Sequence, residues 1–206
     1  MKQQFVETIK IKNGKALALP YHQARMERTI RRFFPSFLSL ASEEIKLSSL
    51  ISPNEEMHLY KARVVYGAQG VEAIEYAPYK MKEIHSLKVV ENDSIDYTYK
   101  STDRSALNAL AAQKGDCDEI IIIKNGLITD TSFTNLALFD GNRWLTPKHP
   151  LLHGTKRAQL LEAGIIEEAD LTPEDLRKAE KVSLFNAMID FGEREVTEIF
   201  LQDSAD

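Results

Sequence analysis

The sequence is poor in the features that mark disulfide-bonded, secreted or membrane-spanning proteins. It contains a single cysteine, Cys117, so no disulfide can form within the chain, and a reducing compartment is the expected environment. No apolar run approaches the roughly 20 residues that a membrane-spanning helix needs. The first four residues are not followed by the apolar segment of a secretory signal. These absences predict a soluble, cytoplasmic protein.

An excess of positive charge is also missing. The chain has 26 Lys and Arg residues against 31 Asp and Glu residues, a net charge of −5. Nucleic-acid and anionic-membrane binders carry basic surfaces, so neither partner is expected. The 43% hydrophobic and 28% charged residues are an ordinary globular composition. A length of 206 residues fits one large domain or two small ones.

Two familiar kinds of catalytic site lack their motifs. No Gly-x-Ser-x-Gly elbow is present, and Cys117 after Gly115-Asp116 is typical of a small packing residue rather than a nucleophile. The histidines show neither the i, i+4 pairing nor the Cys-x-x-Cys partners of a zinc site. No metal site is therefore predicted at any of them, namely His22, His58, His85, His149 and His153.

The chain does contain a succession of short strands and helices. Alternating apolar residues predict strands over residues 4–11, 16–19, 57–66, 71–76, 84–90, 118–123, 127–129, 135–139, 143–146, 181–185 and 194–200. Asn13-Gly14 and Asn125-Gly126 are hairpin turns. Helices are expected over 20–34, 42–51 and 105–114, with two short ones that end before Gly164 and begin at Thr172. We therefore predict an α+β protein with mainly antiparallel sheets, in two domains, 1–79 and 80–206.

Two segments hint at a ligand site. Lys100 lies where a β-prone Tyr/Thr run, residues 97–99, is expected to end a strand just before a helix begins, although cations are favoured at the other end of a helix. Gly154-Thr155-Lys156 opens a later helix, where backbone N–H groups can hold a phosphate. Taken alone, each has a commoner explanation, namely a solvated surface lysine and an ordinary helix cap.

The order of these pieces resembles a known family. Matching segments run along most of the chain: 5–9, 13–15, 22–26, 100–101, 118–120, 125–126, 130–135, 146–147, Leu152-x-Gly154-Thr155-x-Arg157 and Phe185-Asn186-Ala187-Met188. The chain resembles the class IV aminotransferases, the fold-type IV pyridoxal phosphate enzymes, which include D-amino-acid aminotransferase and aminodeoxychorismate lyase. The Asn-Ala-Met run resembles the lyase branch more than the transaminases.

The resemblance implies a fold and a set of roles. It implies a D-amino-acid aminotransferase-like architecture with a shortened N-terminus, a small first domain, a larger cofactor-binding domain and a homodimer. Lys100 is implied as the Schiff-base lysine that also moves the substrate's Cα proton, and Asp130 as the partner of the pyridine nitrogen. The other implied cofactor-binding residues are Arg25, Asn135, Gly154, Thr155, Lys156, Asn186 and Ala187. Arg63 or Arg32 would clamp a substrate carboxylate.

Two departures from the family qualify these expectations. Asp130 stands where the family usually has glutamate, so its carboxylate reaches about one C–C bond less far. The match begins at Phe5, without the opening strands and the Tyr-Gly-Asp-Gly segment of the family, which predicts a wider or differently shaped substrate pocket. The function we predict is a pyridoxal phosphate-dependent lyase that converts 4-amino-4-deoxychorismate to 4-aminobenzoate and pyruvate, because of the Asn186-Ala187-Met188 run. The alternatives are an aminotransferase for branched-chain or D-amino acids and a non-catalytic relative.

Overall fold

The chain forms two compact units. The first comprises Met1–Met81 and Tyr99–Asp103, and the second comprises Lys82–Thr98 and Arg104–Asp206. The computed structural model describes residues 3–35 and 45–200. Lys100, which the sequence assigned to a second domain, packs with the first unit. The expected boundary after residue 79 and the placing of the cofactor in the second domain stay predictions.

The described residues form short strands and helices in the following order. The strands are β1 (Gln4–Lys12), β2 (Lys15–Ala16), β3 (Leu59–Gly67), β4 (Gly70–Pro78), β5 (Ser86–Glu91), β6 (Glu119–Lys124), β7 (Leu127–Thr131), β8 (Asn135–Phe139), β9 (Trp144–Pro147), β10 (Glu167–Ala169), β11 (Lys181–Phe185), β12 (Glu195–Val196) and β13 (Glu198–Phe200). The helices are α1 (Leu19–Phe33), α2 (Leu47–Leu50), α3 (Ser105–Ala111), α4 (Thr155–Glu162) and α5 (Pro173–Lys178), with a 3-10 turn at Ala112–Lys114.

One antiparallel sheet, with strand order β2-β1-β3-β4, carries the first unit. Its hairpin turn places Asn13 and Gly14 at φ 49° and 71°, the left-handed geometry that the Asn-Gly pair predicts. The strand expected over 16–19 is wrong beyond Ala16, because Ala18 turns left-handed at φ 56° and begins α1. Strand β1 buries Phe5 and Ile9 against Met26 of α1, which holds strand and helix together.

The second unit contains two sheets, ordered β13-β5-β6-β7 and β10-β9-β8-β11-β12. Most strand pairs are antiparallel, so the predicted α+β class with mainly antiparallel sheets is confirmed. The pairs β5–β6, β5–β13 and β9–β10 are parallel, which was not predicted. The connection from β5 to β6 contains α3, as parallel neighbours require a crossover. Strand β6 is buried at all but its last residue, as expected of a strand covered on both faces.

Several predicted boundaries need correction. Tyr97 to Lys100 form no strand. The next residue, Ser101, makes an isolated antiparallel β-bridge with Phe5 of β1. The strand expected over 194–200 is two strands, β12 and β13, which join different sheets. The start of the helix expected at 42–44 lies outside the described residues. None of the described helices has the length and apolar character to cross a membrane.

Candidate functional site

A buried ionic cluster links β1 to α1 in the first unit. Glu7 of β1 has no exposed surface, and its carboxylate accepts two hydrogen bonds from Arg25, at 2.9 Å from Nε and 2.5 Å from Nη2. His22, one turn before Arg25 on α1, lies with Nδ1 2.6 Å from the Glu7 carboxylate. Glu7 therefore holds two side chains of the same helix at once.

The protonation states of this cluster follow from burial and charge. Burial works against ionisation of Glu7, but the charge of Arg25 and hydrogen bonds from His22 and Arg25 outweigh it and lower its pKa to about 2. Burial lowers the pKa of His22, despite the attraction of Glu7. Glu7 is thus ionised and His22 neutral at pH 7, so the His22 Nδ1–H donates to Glu7.

Lys100 is held beside the same strand by its backbone. The Lys100 carbonyl accepts a hydrogen bond from Val6 N at 3.0 Å, and Thr102 N donates to the Gln4 carbonyl at 3.0 Å. The Lys100 charge contributes to the lowered pKa of His22, so its amine lies within electrostatic reach of the cluster. The first unit therefore brings together Lys100 and Arg25, two of the predicted site residues.

Asp130, near the end of β7, is the most unusual carboxylate of the second unit. Its Oδ1 accepts from Asn135 Nδ2 at 2.7 Å and its Oδ2 from Leu152 N at 2.8 Å. Burial raises its pKa to about 7, although these hydrogen bonds and the charge of Arg157 oppose the shift. No described cationic side chain lies within ion-pair distance of it. Among the residues that the structure describes, Asp130 therefore has neutral hydrogen-bond donors and no bonded cation.

Asn135 and Gly154 shape the loop next to this carboxylate. Asn135 Nδ2 also donates to the Leu152 carbonyl at 2.9 Å, so one amide ties β8 to both Asp130 and the loop. A Cβ at residue 154 would collide with Asn135 Oδ1. Only glycine fits there, although its φ of −69° is one that any residue can adopt. Sequence reasoning expected Asn135 at the cofactor; the structure shows it positioning Asp130.

The N-terminus of α4 has the character of an anion site. Gly154 is the N-cap and provides no side-chain cap to the first turn. Thr155 is buried, and Lys156 Nζ makes an ion pair with Asp190 at 2.6 Å. Arg157, which the sequence noted only as a motif member, is buried and donates through Nη2 to the Pro147 carbonyl and to Glu168. That guanidinium fixes the first turn of α4 to β9 and β10.

Asn186 builds a turn rather than presenting its side chain to a ligand. Its Oδ1 accepts from the backbone N–H groups of Met188 and Ile189, and its Nδ2 donates to the Phe133 carbonyl at 3.2 Å. Its own N–H donates to the Ile189 carbonyl. Ala187 lies at the tip of this turn. Of the two residues predicted here, Ala187 is the better placed to offer a backbone donor.

The two substrate arginines have ordinary surroundings. Arg63 on β3 pairs with exposed Glu75 across the sheet at 3.3 Å, and Arg32 lies over the Phe33 ring at 5.5 Å. Neither arrangement singles out a carboxylate clamp. Within the described ranges, no cluster of three or more His, Cys, Asp or Glu residues could hold a metal ion.

Glu7, His22 and Arg157 are the residues whose part in the site sequence reasoning missed. For Glu7 the local sequence gave little signal, because β1 also carries Thr8 and the charged Lys10. The partners of a buried charge come from distant parts of the chain, so no local pattern reveals them.

Comparisons with known proteins agree with this architecture. The family model described as amino-transferase class IV matches residues 4–199. An uncharacterized protein of Haemophilus influenzae is 38% identical over 182 residues, covering 88% of this chain and 96% of that protein. A Schizosaccharomyces pombe protein provisionally named aminodeoxychorismate lyase is 28% identical over 189 residues, covering 85% and 82% respectively.

A solved structure extends the agreement to the fold. A crystal structure from Haemophilus somnus 129pt, provisionally described as a 4-amino-4-deoxychorismate lyase, superposes with a TM-score of 0.81 at 35% identity. The match covers 92% of this chain and 98% of that one. The resemblance and the fold type that it implied are thus confirmed. Because the family model spans nearly the whole sequence, the chain belongs to the class IV aminotransferase family.

Proposed function

We propose that this protein is a pyridoxal phosphate-dependent lyase that converts 4-amino-4-deoxychorismate to 4-aminobenzoate and pyruvate, a step of folate biosynthesis. Membership of the class IV family supports the cofactor and the enzymatic activity. Two similar proteins with provisional lyase names, and the Asn186-Ala187-Met188 run, support the reaction. The observation that carries the cofactor-dependent function is the buried Asp130 carboxylate, which has no bonded cation among the described residues.

The residues present fit pyridoxal phosphate. An ionised Asp130 needs a positive partner, and a protonated pyridine nitrogen would be one. The uncapped first turn of α4 offers backbone N–H groups and a helix dipole, which suit a phosphate dianion. The glycine at 154 keeps the backbone close to Asn135, where a Cβ would collide. These features support pyridoxal phosphate as the cofactor, because they offer a partner for its ring nitrogen and donors for its phosphate.

Each residue then has a definite part in the proposed reaction. Bound pyridoxal phosphate supplies a ring that accepts electrons from the substrate's Cα. Asp130 would keep a proton on the ring nitrogen, and Lys100 Nζ would take the Cα proton of the substrate. Loss of the enolpyruvyl group as pyruvate leaves an aromatic product, which favours elimination. Lys100 would also return a proton to the departing group.

The family resemblance assigns the phosphate to Arg25 and to backbone N–H groups at Thr155, Lys156 and Ala187. A guanidinium and fixed N–H donors both suit a dianion. Asn186 would act through the turn that presents Ala187. The homodimer and the cytoplasmic location expected from the sequence remain part of this proposal.

The decisive experiment is an assay with 4-amino-4-deoxychorismate in the absence of any 2-oxo acid. We expect 4-aminobenzoate and pyruvate to be released in equal amounts by yellow, cofactor-loaded protein. Borohydride should fix the cofactor at Lys100, Lys100→Ala should be inactive, and Lys80→Ala, at an exposed lysine, should retain wild-type activity. Turnover that strictly requires a 2-oxo acid acceptor would show an aminotransferase instead. A protein that takes up no pyridoxal phosphate would refute both enzymatic functions.

A further inference from the structure

Glu7 is a buried carboxylate to which neither the family resemblance nor the comparisons give a role. It accepts hydrogen bonds from Arg25 Nε, Arg25 Nη2 and His22 Nδ1, and all three side chains are buried. A bidentate arginine–carboxylate contact fixes geometry as well as neutralising charge. Glu7 makes a bidentate contact with Nε and Nη2 of the guanidinium, and its carboxylate also accepts a hydrogen bond from His22 Nδ1.

The bidentate contact with Glu7 sets the orientation of the Arg25 guanidinium. The group is planar and rigid, so a carboxylate that accepts from Nε and Nη2 determines the plane and leaves Nη1 on the side away from Glu7. Thr29 Oγ1 donates to the Arg25 carbonyl at 3.0 Å, which anchors the backbone of the same residue. The direction in which Arg25 meets an anion therefore depends on Glu7.

Strand β1 connects this cluster to Lys100. Val6, the neighbour of Glu7, donates its backbone N–H to the Lys100 carbonyl. Phe5 bridges Ser101 and contacts the Tyr99 ring, with centroids 6.4 Å apart. Two adjacent residues of one strand thus hold the backbone of the lysine and the side chain of the arginine. A displacement of Glu7 would therefore shift both the Lys100 backbone and the Arg25 side chain.

We propose that Glu7 is a positioning residue that orients Arg25 toward the phosphate of the cofactor, with His22 as its neutral support. Glu7 itself touches neither cofactor nor substrate in this scheme. The inference rests on the part of the proposed function that gives Arg25 to the phosphate. It does not depend on which reaction the enzyme catalyses.

The test compares pyridoxal phosphate with pyridoxal, which has the same ring and no phosphate. Dissociation constants of both are measured by fluorescence for wild type, Glu7→Gln and the control Glu75→Gln. Glu75 is an exposed strand carboxylate paired with Arg63, so the control makes the same charge change outside the cluster. In Glu7→Gln the amide can accept from only one nitrogen of Arg25, which frees the guanidinium to turn.

We expect Glu7→Gln to reduce the preference for pyridoxal phosphate over pyridoxal roughly tenfold, the equivalent of one charge-assisted hydrogen bond. Glu75→Gln should leave the preference at its wild-type value. Equal weakening of both ligands would mean that Glu7 only stabilises the fold, and the proposal would be overturned. A preference unchanged from wild type would overturn it as well.

A second variant covers the case in which Glu7→Gln does not fold. Glu7→Asp keeps the negative charge beside Arg25 but draws the carboxylate back by about one C–C bond, so it should loosen both contacts with the guanidinium and lower the same preference. If wild type already binds both ligands equally, Arg25 meets no phosphate and the inference fails. If the preference behaves as expected but no pyruvate is released, only the proposed reaction fails.

Discussion

The ionisation of Asp130 should make the stability of the cofactor-free protein depend on pH. Its pKa is about 7 in the folded protein, against an ordinary value of 3.8. A carboxyl whose folded pKa is raised binds its proton more tightly in the folded state than in the unfolded one. Its favourable contribution is therefore complete below about pH 4 and is lost as the pH rises to about 7.

The size of the effect follows from the difference between the two pKa values. Each pKa unit corresponds to about 1.4 kcal/mol, so the whole shift represents about 4 kcal/mol. Between pH 5 and pH 8 the protein should lose about 3 kcal/mol of unfolding free energy through this group alone. Asp130 is fully buried, so solvent screening does not reduce this figure.

Urea unfolding of cofactor-free wild type and Asp130→Asn across this range is the appropriate assay. Asparagine cannot ionise, so the difference in unfolding free energy between the two proteins isolates the titration from all other groups. We expect that difference to change by about 3 kcal/mol between pH 5 and pH 8, to the advantage of Asp130→Asn at high pH. If the unfolding free energies of wild type and Asp130→Asn differ by a constant amount, within about 1 kcal/mol, from pH 5 to pH 8, the reasoning is refuted. Wild type saturated with pyridoxal phosphate should lose most of the slope, because the ring nitrogen then supplies the missing charge.

Three further substitutions probe other parts of the structure by urea unfolding and cofactor titration. Gly154→Ala should lower both the affinity for pyridoxal phosphate and the free energy of unfolding, because the Cβ of the alanine would collide with Asn135 Oδ1. Wild-type affinity in this variant would contradict the proposed phosphate site at the start of α4. Tyr66→Phe should change stability by no more than about 1 kcal/mol, since the fully buried Tyr66 hydroxyl has Thr29 nearby but makes no hydrogen bond of good geometry with the described residues. Arg157→Met should cost about 2 kcal/mol and raise the pKa of Asp130 further, because Arg157 is buried, charged and doubly bonded. Arg143→Met, at an exposed ion pair, is its control and should cost less than about 1 kcal/mol.

The turns and strands of this fold could be predicted where the deciding interactions are local. Asn13-Gly14 and Asn125-Gly126 all adopt positive φ, which asparagine tolerates and glycine adopts freely without help from the rest of the chain. Thr172 and Asp175 form the capping box that begins α5. The parallel pairing of β5 with β6 joins residues about thirty positions apart, and apolar patterning carries no record of the partner.

The stretch around Lys100 shows how a correct residue can be found for an incomplete reason. The Tyr/Thr run suggested a strand that ends at the lysine, but the structure has only a bridge to Phe5 there. What holds Lys100 is the edge of β1, nearly a hundred residues earlier in the chain. The family motifs identified Lys100 because they reflect constraints between distant parts of the chain, whereas secondary-structure propensity reflects only neighbouring residues.

The short side chain of Asp130 has a structural counterpart in the loop that follows β9. The Leu152 N–H donates to Asp130 and the Leu152 carbonyl accepts from Asn135, so both backbone groups of one residue are bonded to the Asp130–Asn135 pair. Two residues later, Gly154 caps α4, whose first turn is the proposed phosphate site. The group proposed for the ring nitrogen and the group proposed for the phosphate are therefore joined by a three-residue segment. Lengthening the carboxylate, as in Asp130→Glu, would push against Leu152 and displace that segment. The aspartate is consequently matched to this loop, and a glutamate would need the loop to move.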